Sequence, residues 1–220
     1  MVIAAPSQIE YRRDLQELQW IREHPWNFLE KYVWTEDQVE SKEEPIKRFP
    51  CGDDYAYLKY LTDAWVEETI LLVPKSRRMV ITWWATAVHL WATMYFKSRQ
   101  TFFVSIKEEL SDDLVDKAFF IHSHIPDDKP LLKPKCKKTY CKLQFPGIRS
   151  IIYGVPQGSD QLRQRTSSFI FADEMAFWEK GRDTYVASIP TIEGGGKFLG
   201  VSSAYPGFFK KLVFDELLTG

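Results

Sequence analysis

The sequence predicts an α/β fold with a mainly parallel sheet, and three observations predict it. Short apolar runs rich in β-branched and aromatic residues recur at Thr69–Val73, Thr101–Ile106, Ser168–Ala172 and Phe198–Ser202. Segments of helical apolar period separate them, and strands that alternate with helices build parallel sheets covered on both faces. Three of the runs end in polar or small residues, Lys75-Ser76, Asp173-Glu174 and Ser202-Ser203. In open α/β sheets, ligands bind beyond the C-terminal ends of the strands.

The elements follow in order. Residues 8–24 read as an amphipathic helix, with Ser7 as N-cap and Glu10 three residues on, the pattern of a capping box. Ile9, Leu15, Leu18 and Ile21 approximate its apolar stripe. Residues 34–50 are polar and acidic and are closed by Pro45 and Pro50, so they read as a loop or linker. Asp53 is placed to cap a second helix through Glu67. Thr69–Val73 reads as a buried strand ended by Pro74, and Lys75–Thr82 as a basic loop before a long apolar helix.

From Met79 to Phe96 there is no Asp, Glu, Lys or Arg, a length that touches the threshold for a membrane span. Thr82, Thr86, His89 and Thr93 interrupt it, and no other segment resembles a span. It reads as a helix buried between the sheet and other helices. A strand at 101–106 precedes a helix at 108–124 with an acidic first turn and Leu110, Leu114, Ala118 and Ile121 on one face. Residues 140–145 and 149–153 read as a hairpin around Pro146-Gly147. A polar loop at 154–167 carries Arg163 and Arg165. Helices at 180–190 and 207–217 flank the last strand.

The chain has 220 residues, a length that suits one domain or one domain with a small appendage. The division expected is a helical appendage and linker over 1–49 and the main domain over 50–220. A formal charge of −1 excludes a polybasic nucleic-acid binder as a description of the whole chain. The balance is uneven, however: residues 1–74 hold 8 basic and 15 acidic side chains, and residues 75–220 hold 21 basic and 15 acidic. A polyanion should meet the later part. The three cysteines, Cys51, Cys136 and Cys141, are an odd count that fits a reducing compartment. Cys136 and Cys141 follow His122 and His124, but the spacing matches no zinc module. No basic segment followed by an apolar one opens the chain, so no secretory signal is expected.

Chemistry concentrates at the three strand ends. The first is the run Lys75, Ser76, Arg77, Arg78, Met79, Val80, Ile81, Thr82. A strand, a loop and a helix opening with Thr is the layout of a phosphate-binding loop, in which helix-start amides hold phosphate and the hydroxyl binds Mg2+. The standard G-x-x-x-x-G-K-[ST] is not present. Aligned on Thr82, its glycine positions hold Lys75 and Val80, and its lysine position holds Ile81. The second is an apolar strand delivering Asp173 and Glu174, where Asp can orient hydrated Mg2+ and Glu can polarise a water. The third, Ser202-Ser203-Ala204, can sense a phosphate by hydrogen bonding. Each alone also reads as an ordinary turn or helix start; their order and spacing suit a nucleotidase.

In that order the residues resemble the large terminase subunits, the ATP-driven DNA-packaging motors of tailed bacteriophages. Lys75-Ser76-Arg77-Arg78-Met79-x-x-Thr82-Trp83 resembles the family's deviant Walker A, with the lysine at the start of the loop and an arginine within it, here Arg77. Leu162-Arg163-Gln164-Arg165-Thr166 resembles its Leu-Arg-Gly-Arg-Thr element, whose first arginine, here Arg163, is a candidate finger for a neighbouring subunit's nucleotide. Phe171-Ala172-Asp173-Glu174-Met175-Ala176 resembles the Walker B strand, and Ser202-Ser203-Ala204 the coupling motif. The resemblance spans roughly residues 50–215.

The resemblance implies a three-layer P-loop NTPase of the ASCE class, with ATP and Mg2+ as substrate and cofactor. It implies Lys75 and Arg77 on the phosphates, Thr82 and Asp173 on Mg2+, and Glu174 as the residue that orients water. It also implies double-stranded DNA, a portal protein and a small terminase subunit as partners. The chain would be a monomer in isolation and would join a homo-oligomeric ring on the procapsid. Its place would be the host cytoplasm, transiently at the portal vertex, with no membrane and no place in the mature virion. The family's C-terminal nuclease domain is expected to be absent from this chain.

Val80 departs from the family's glycine, and a β-branched residue strongly disfavours positive φ, so a distorted loop is expected. No adenine-reading glutamine precedes the first strand; Tyr55 and Tyr57 stand nearest that role. The segment 129–149 carries lysines and no acid, and Lys133, Lys135, Lys137 and Lys138 are its candidate DNA contacts. Two competing readings are a DEAD-box-like helicase, which would keep Gly-Lys-Thr in the loop, and a scaffold with a degenerate nucleotide site.

Overall fold

The structure, a computed structural model, describes residues 8–36, 44–158 and 160–214. The described residues begin with two helices, α1 (Gln8–Glu23) and α2 (Pro25–Tyr32). His24 separates them: its Nδ1 accepts the Trp26 amide at 3.2 Å, and Pro25 fills the first helical position, where no amide is needed. The expected stripe on α1 is only partly used. Ile21 is buried, whereas Ile9 is 68% exposed and Leu15 40% exposed, because α2 covers only part of the helix. The Ser7 cap lies outside the described residues.

The expected linker at 34–50 contains two short strands, β1 (Trp34–Glu36) and β2 (Ile46–Arg48), paired antiparallel. Asp53 does not cap a helix. It starts a 3-10 turn, Asp53–Tyr55, and the helix α3 (Ala56–Glu67) begins after it without a side-chain cap.

The main sheet then forms. β3 (Ile70–Lys75) leads to the helix α4 (Ile81–Met94), and β4 (Gln100–Ser105) leads to α5 (Glu108–Ser123). Three strands follow: β5 (Lys137–Thr139), β6 (Lys142–Phe145) and β7 (Ser150–Pro156). A one-turn helix, α6 (Gln161–Gln164), precedes β8 (Phe169–Asp173). The helix α7 (Gly181–Glu193), β9 (Lys197–Ser203) and α8 (Phe208–Val213) complete the described chain.

The strands lie in the order β3-β9-β8-β4-β7-β6-β5. The first five are mutually parallel, and β6 and β5 continue the sheet antiparallel. The expected hairpin is β6–β7; β5 was not legible because Lys-Lys-Thr carries no apolar alternation. Pro74 lies inside β3 and does not end it. The strand is at the sheet edge, where a missing amide costs no ladder bond.

Helices cover both faces of the sheet. α4 and α5 lie on one, with α2 and α3 packed on α4, and α7 and α8 lie on the other. α4 is apolar all round because it is enclosed all round, by β4, β7, β8 and β9 on one side and by α2, α3 and α5 on the others. Among the described residues no helix is long and apolar enough to cross a membrane. At its centre His89 is fully buried, stacked on Phe171 at 5.6 Å, with Nδ1 2.8 Å from the Ala85 carbonyl oxygen. Burial lowers its pKa to about 4, so the ring is neutral. Gly154 on β7 is required by close approach: a Cβ there would lie 2.8 Å from the Ser111 carbonyl oxygen of α5.

The N-terminal helices share the main core through Ile21, Phe28 and Leu29. Glu17 fastens them to the segment after α5, with its carboxylate bound by Lys129, Lys31 and the Tyr32 hydroxyl. Burial acts upward on its pKa, and these partners more than offset it, from 4.5 to about 2. A depressed carboxyl stabilises the fold above its unfolded pKa and stops doing so as pH falls through the folded one. We therefore expect Glu17→Gln to cost about 2 kcal/mol at pH 7 and much less below pH 2, in urea melts followed at both pH values.

Candidate phosphate-binding site

Register brings the three strand ends together. Lys75 pairs with Ser203 across β3–β9, and Asp173 with Val201 across β8–β9. All three strands are parallel, so their C-terminal ends open on one side, where α4 begins.

The loop between β3 and α4 exposes Ser76, Arg77 and Arg78 and tucks Val80 and Ile81 towards the core. Arg78 has φ 65° and Val80 φ 57°, both left-handed. For a β-branched residue this is a genuine outlier, with a cost on the order of 1–3 kcal/mol. Val80 thus adopts, at this cost, the conformation that a glycine would take freely, so the loop is strained at this position and not shifted away from positive φ as expected. As the N-cap of α4 it offers no side-chain acceptor, and the first amides of the helix stay uncapped and available to an anion.

Lys75 reaches from the end of β3 to Glu174, Nζ donating to Oε1 at 2.8 Å, with the lysine side chain only 10% exposed. Glu174 is itself left-handed, at φ 49°, just beyond β8. Its Oε2 accepts the Ser203 amide at 3.2 Å, and the Ser202 and Ser203 hydroxyls donate to its two oxygens at 3.4 Å each. Ser202 Oγ also accepts the Ala176 amide at 3.0 Å, tying the turn after Glu174 to β9. Burial acts upward on the Glu174 carboxyl, and Lys75 with Ser203 outweighs it, so its pKa lies below the usual value.

Asp173 is buried beside it. The Thr82 hydroxyl donates to its Oδ1 at 3.4 Å, a long bond. Burial raises its pKa to about 6, the Glu174 charge adds to that, and Lys75 only partly opposes it. A buried, under-compensated carboxylate with an adjacent hydroxyl is hard oxygen chemistry that fits Mg2+. Trp178, which the sequence did not single out, donates its indole N–H to the Asp173 carbonyl oxygen at 3.0 Å and fixes the strand end.

Other expected residues fall elsewhere. Ala204 lies just past β9 and is exposed. Arg163 lies on α6, and its side chain is outside the described residues. Arg165 is anchored: Nη1 donates to the Tyr153 hydroxyl at 2.7 Å, and the guanidinium lies 4.6 Å from the centre of that ring. Tyr57 does not stand open for a base; its hydroxyl donates to the Met79 carbonyl oxygen at 3.0 Å. No local pattern could have announced that bond across 22 residues.

The four lysines divide into two pairs. Lys133 binds Asp127 at 2.6 Å, and Lys138 lies between Asp112 at 2.8 Å and Asp116 at 2.6 Å. Lys135 and Lys137 are exposed, the first just before β5 and the second on it, at the sheet edge farthest from β3. A segment without acids is thus partly neutralised by carboxylates outside it. His122 Nδ1 lies 3.5 Å from Cys136 Sγ, yet no group of three metal-ligating side chains occurs among the described residues.

No protein-family model matches the chain, and no curated protein is similar to it by sequence. Solved structures are similar in fold. The HK97 bacteriophage large terminase superposes with a TM-score of 0.66 at 11% identity, covering 90% of this chain and 41% of that one. The ATPase domain of the Thermus phage P74-26 large terminase, as a point variant, gives 0.54 at 12% identity, covering 73% of each chain. The large terminase of a thermophilic bacteriophage, in complex with ADP, gives 0.52 at 13% identity, covering 70% of this chain and 39% of that one. The chain thus has the three-layer fold of large-terminase ATPase domains and spans about two fifths of the full-length terminases, 41% and 39%.

Proposed function

We propose that this chain is the ATPase domain of a viral DNA-packaging motor, which hydrolyses ATP to drive double-stranded DNA into a procapsid. One observation carries the reading: Lys75, Thr82, Asp173, Glu174, Ser202 and Ser203 meet at three adjacent parallel strand ends, against an uncapped helix start.

The phosphates of ATP would lie on the first amides of α4, with Lys75 and Arg77 neutralising their charge and Ser76 to Thr82 wrapping them. Thr82 and Asp173 would hold Mg2+, which supplies a positive charge to the phosphate oxygens. Glu174 would accept a proton from the attacking water. The Lys75 ammonium is paired with Glu174 at 2.8 Å. A γ-phosphate competes for the same ammonium group, so nucleotide binding would release the glutamate from one partner while Ser203 keeps it aimed. Loss of that phosphate would return Lys75 to Glu174, and Ser202 and Ser203 on β9 would feel the change first.

Arg163 would complete the site of a neighbouring subunit in a ring, and the portal protein and small terminase subunit would dock on the assembled motor in the host cytoplasm. Exposed Lys135 and Lys137 are the DNA-phosphate contacts of this reading.

Mg-dependent ATP hydrolysis per subunit, measured across protein concentration, tests it. The expected result is a rate that rises with concentration and a rise that Arg163→Ala removes, since a finger of this kind is worth roughly 10³–10⁵ in rate. Hydrolysis without concentration dependence, unaffected by Arg163→Ala, would remove the trans-acting finger. A longer chain that binds no MgATP would favour the degenerate scaffold.

A further inference from the structure

We propose that Tyr57 is a positioning residue for the loop 75–82, its hydroxyl doing at a distance what a glycine at position 80 would do locally. The inference rests on reading this loop as the nucleotide site.

The argument is geometric. The peptide unit is planar, so the Met79 carbonyl and the Val80 amide move as one body. Its orientation sets φ of Val80. The hydroxyl of Tyr57 holds that carbonyl at 3.0 Å, and Val80 on the other side of the peptide has φ 57°. Relaxing Val80 to negative φ would swing the carbonyl away and break the bond. The bond therefore opposes the relaxation that a β-branched residue favours. The donor is fixed in its turn. Its neighbour Leu58 is fully buried, the Leu58 carbonyl accepts the Thr62 hydroxyl at 2.7 Å, and that hydroxyl accepts the Trp84 indole N–H of α4 at 2.8 Å. The loop is thus held between α4, which it opens, and α3, which is bolted to α4.

Two readouts test this, one without nucleotide. Trypsin cleaves after arginine, and Arg77 and Arg78 are both exposed on the loop. Tyr57→Phe, which keeps the ring, should speed cleavage there about five-fold, the worth of one hydrogen bond. In a Val80→Gly background the same change should alter cleavage by less than about two-fold, because glycine takes positive φ freely. The KM for MgATP should follow the same pattern in the longest active form of the protein, with kcat little changed. Thermal melts confirm that each variant is folded. Equal cleavage of Tyr57→Phe and the parent, or an undiminished effect in the Val80→Gly background, overturns the proposal. If cleavage behaves as expected while the parent binds no MgATP, the strap stands and the nucleotide reading falls.

Discussion

If the chain is the ATPase proposed above, Glu174→Gln is expected to lower Mg-dependent ATP hydrolysis by about 10²- to 10⁴-fold and to leave MgATP affinity unchanged or higher. The direction of each effect follows from the site. The substitution keeps the length of the side chain and an oxygen that can accept the Ser203 amide, now 3.2 Å from the glutamate. It removes the carboxylate that the proposed mechanism assigns to take a proton from the attacking water. It also removes the partner that holds Lys75 at 2.8 Å, so the ammonium is free for phosphate before nucleotide arrives. Rate therefore falls while affinity holds or rises, a pattern that a general loss of structure cannot produce. Single-turnover hydrolysis and a fluorescent-nucleotide titration on the same preparation check both halves. An unchanged rate removes Glu174 from the chemistry. A lost affinity reassigns it to holding the loop.

The sequence made the site legible where the signal was local. The strand Phe169–Asp173 runs one residue past its apolar run, into the first acid of the pair, and Glu174 follows at once. The helix start at Ile81 lies one residue before the Thr82 that indicated it, whereas the strand runs on through Pro74 to Lys75, the residue expected to open the loop. What stayed hidden depended on distance in sequence. The Lys75–Glu174 pair joins residues 99 apart and needs the β3-β9-β8 strand order before it exists. The same is true of Tyr57 on the loop and of Asp112 on α5, which neutralises Lys138 from 26 residues away. Apolar periodicity misread α1 for a related reason. Its amphipathic pattern describes a face that could be buried, and only Ile21 of that face is buried among the described residues.

The largest stability effect is expected at Trp84, where fold and site meet. The side chain is fully buried, and its indole N–H donates to the Thr62 hydroxyl at 2.8 Å. Trp84→Ala leaves a cavity of indole size and should cost about 3–5 kcal/mol. For a chain of this length that lowers Tm by about 6–20 °C, readable in a thermal melt. Trp84→Phe should cost less, since most of the ring volume remains and the Thr62 hydroxyl keeps its bond to the Leu58 carbonyl. Thr62→Val tests the bond from the other side: it buries an indole N–H without a partner, at about 1–3 kcal/mol. Combined with Trp84→Phe it should add little, because the group left unpaired is already gone. Full additivity would mean that the indole–hydroxyl bond does not join α3 to α4. The consequence reaches the loop, because α3 carries Tyr57. A Trp84 variant that still folds should therefore lose protection at Arg77 and Arg78 before it loses its sheet, and tryptic cleavage measured below the melting transition separates those two events.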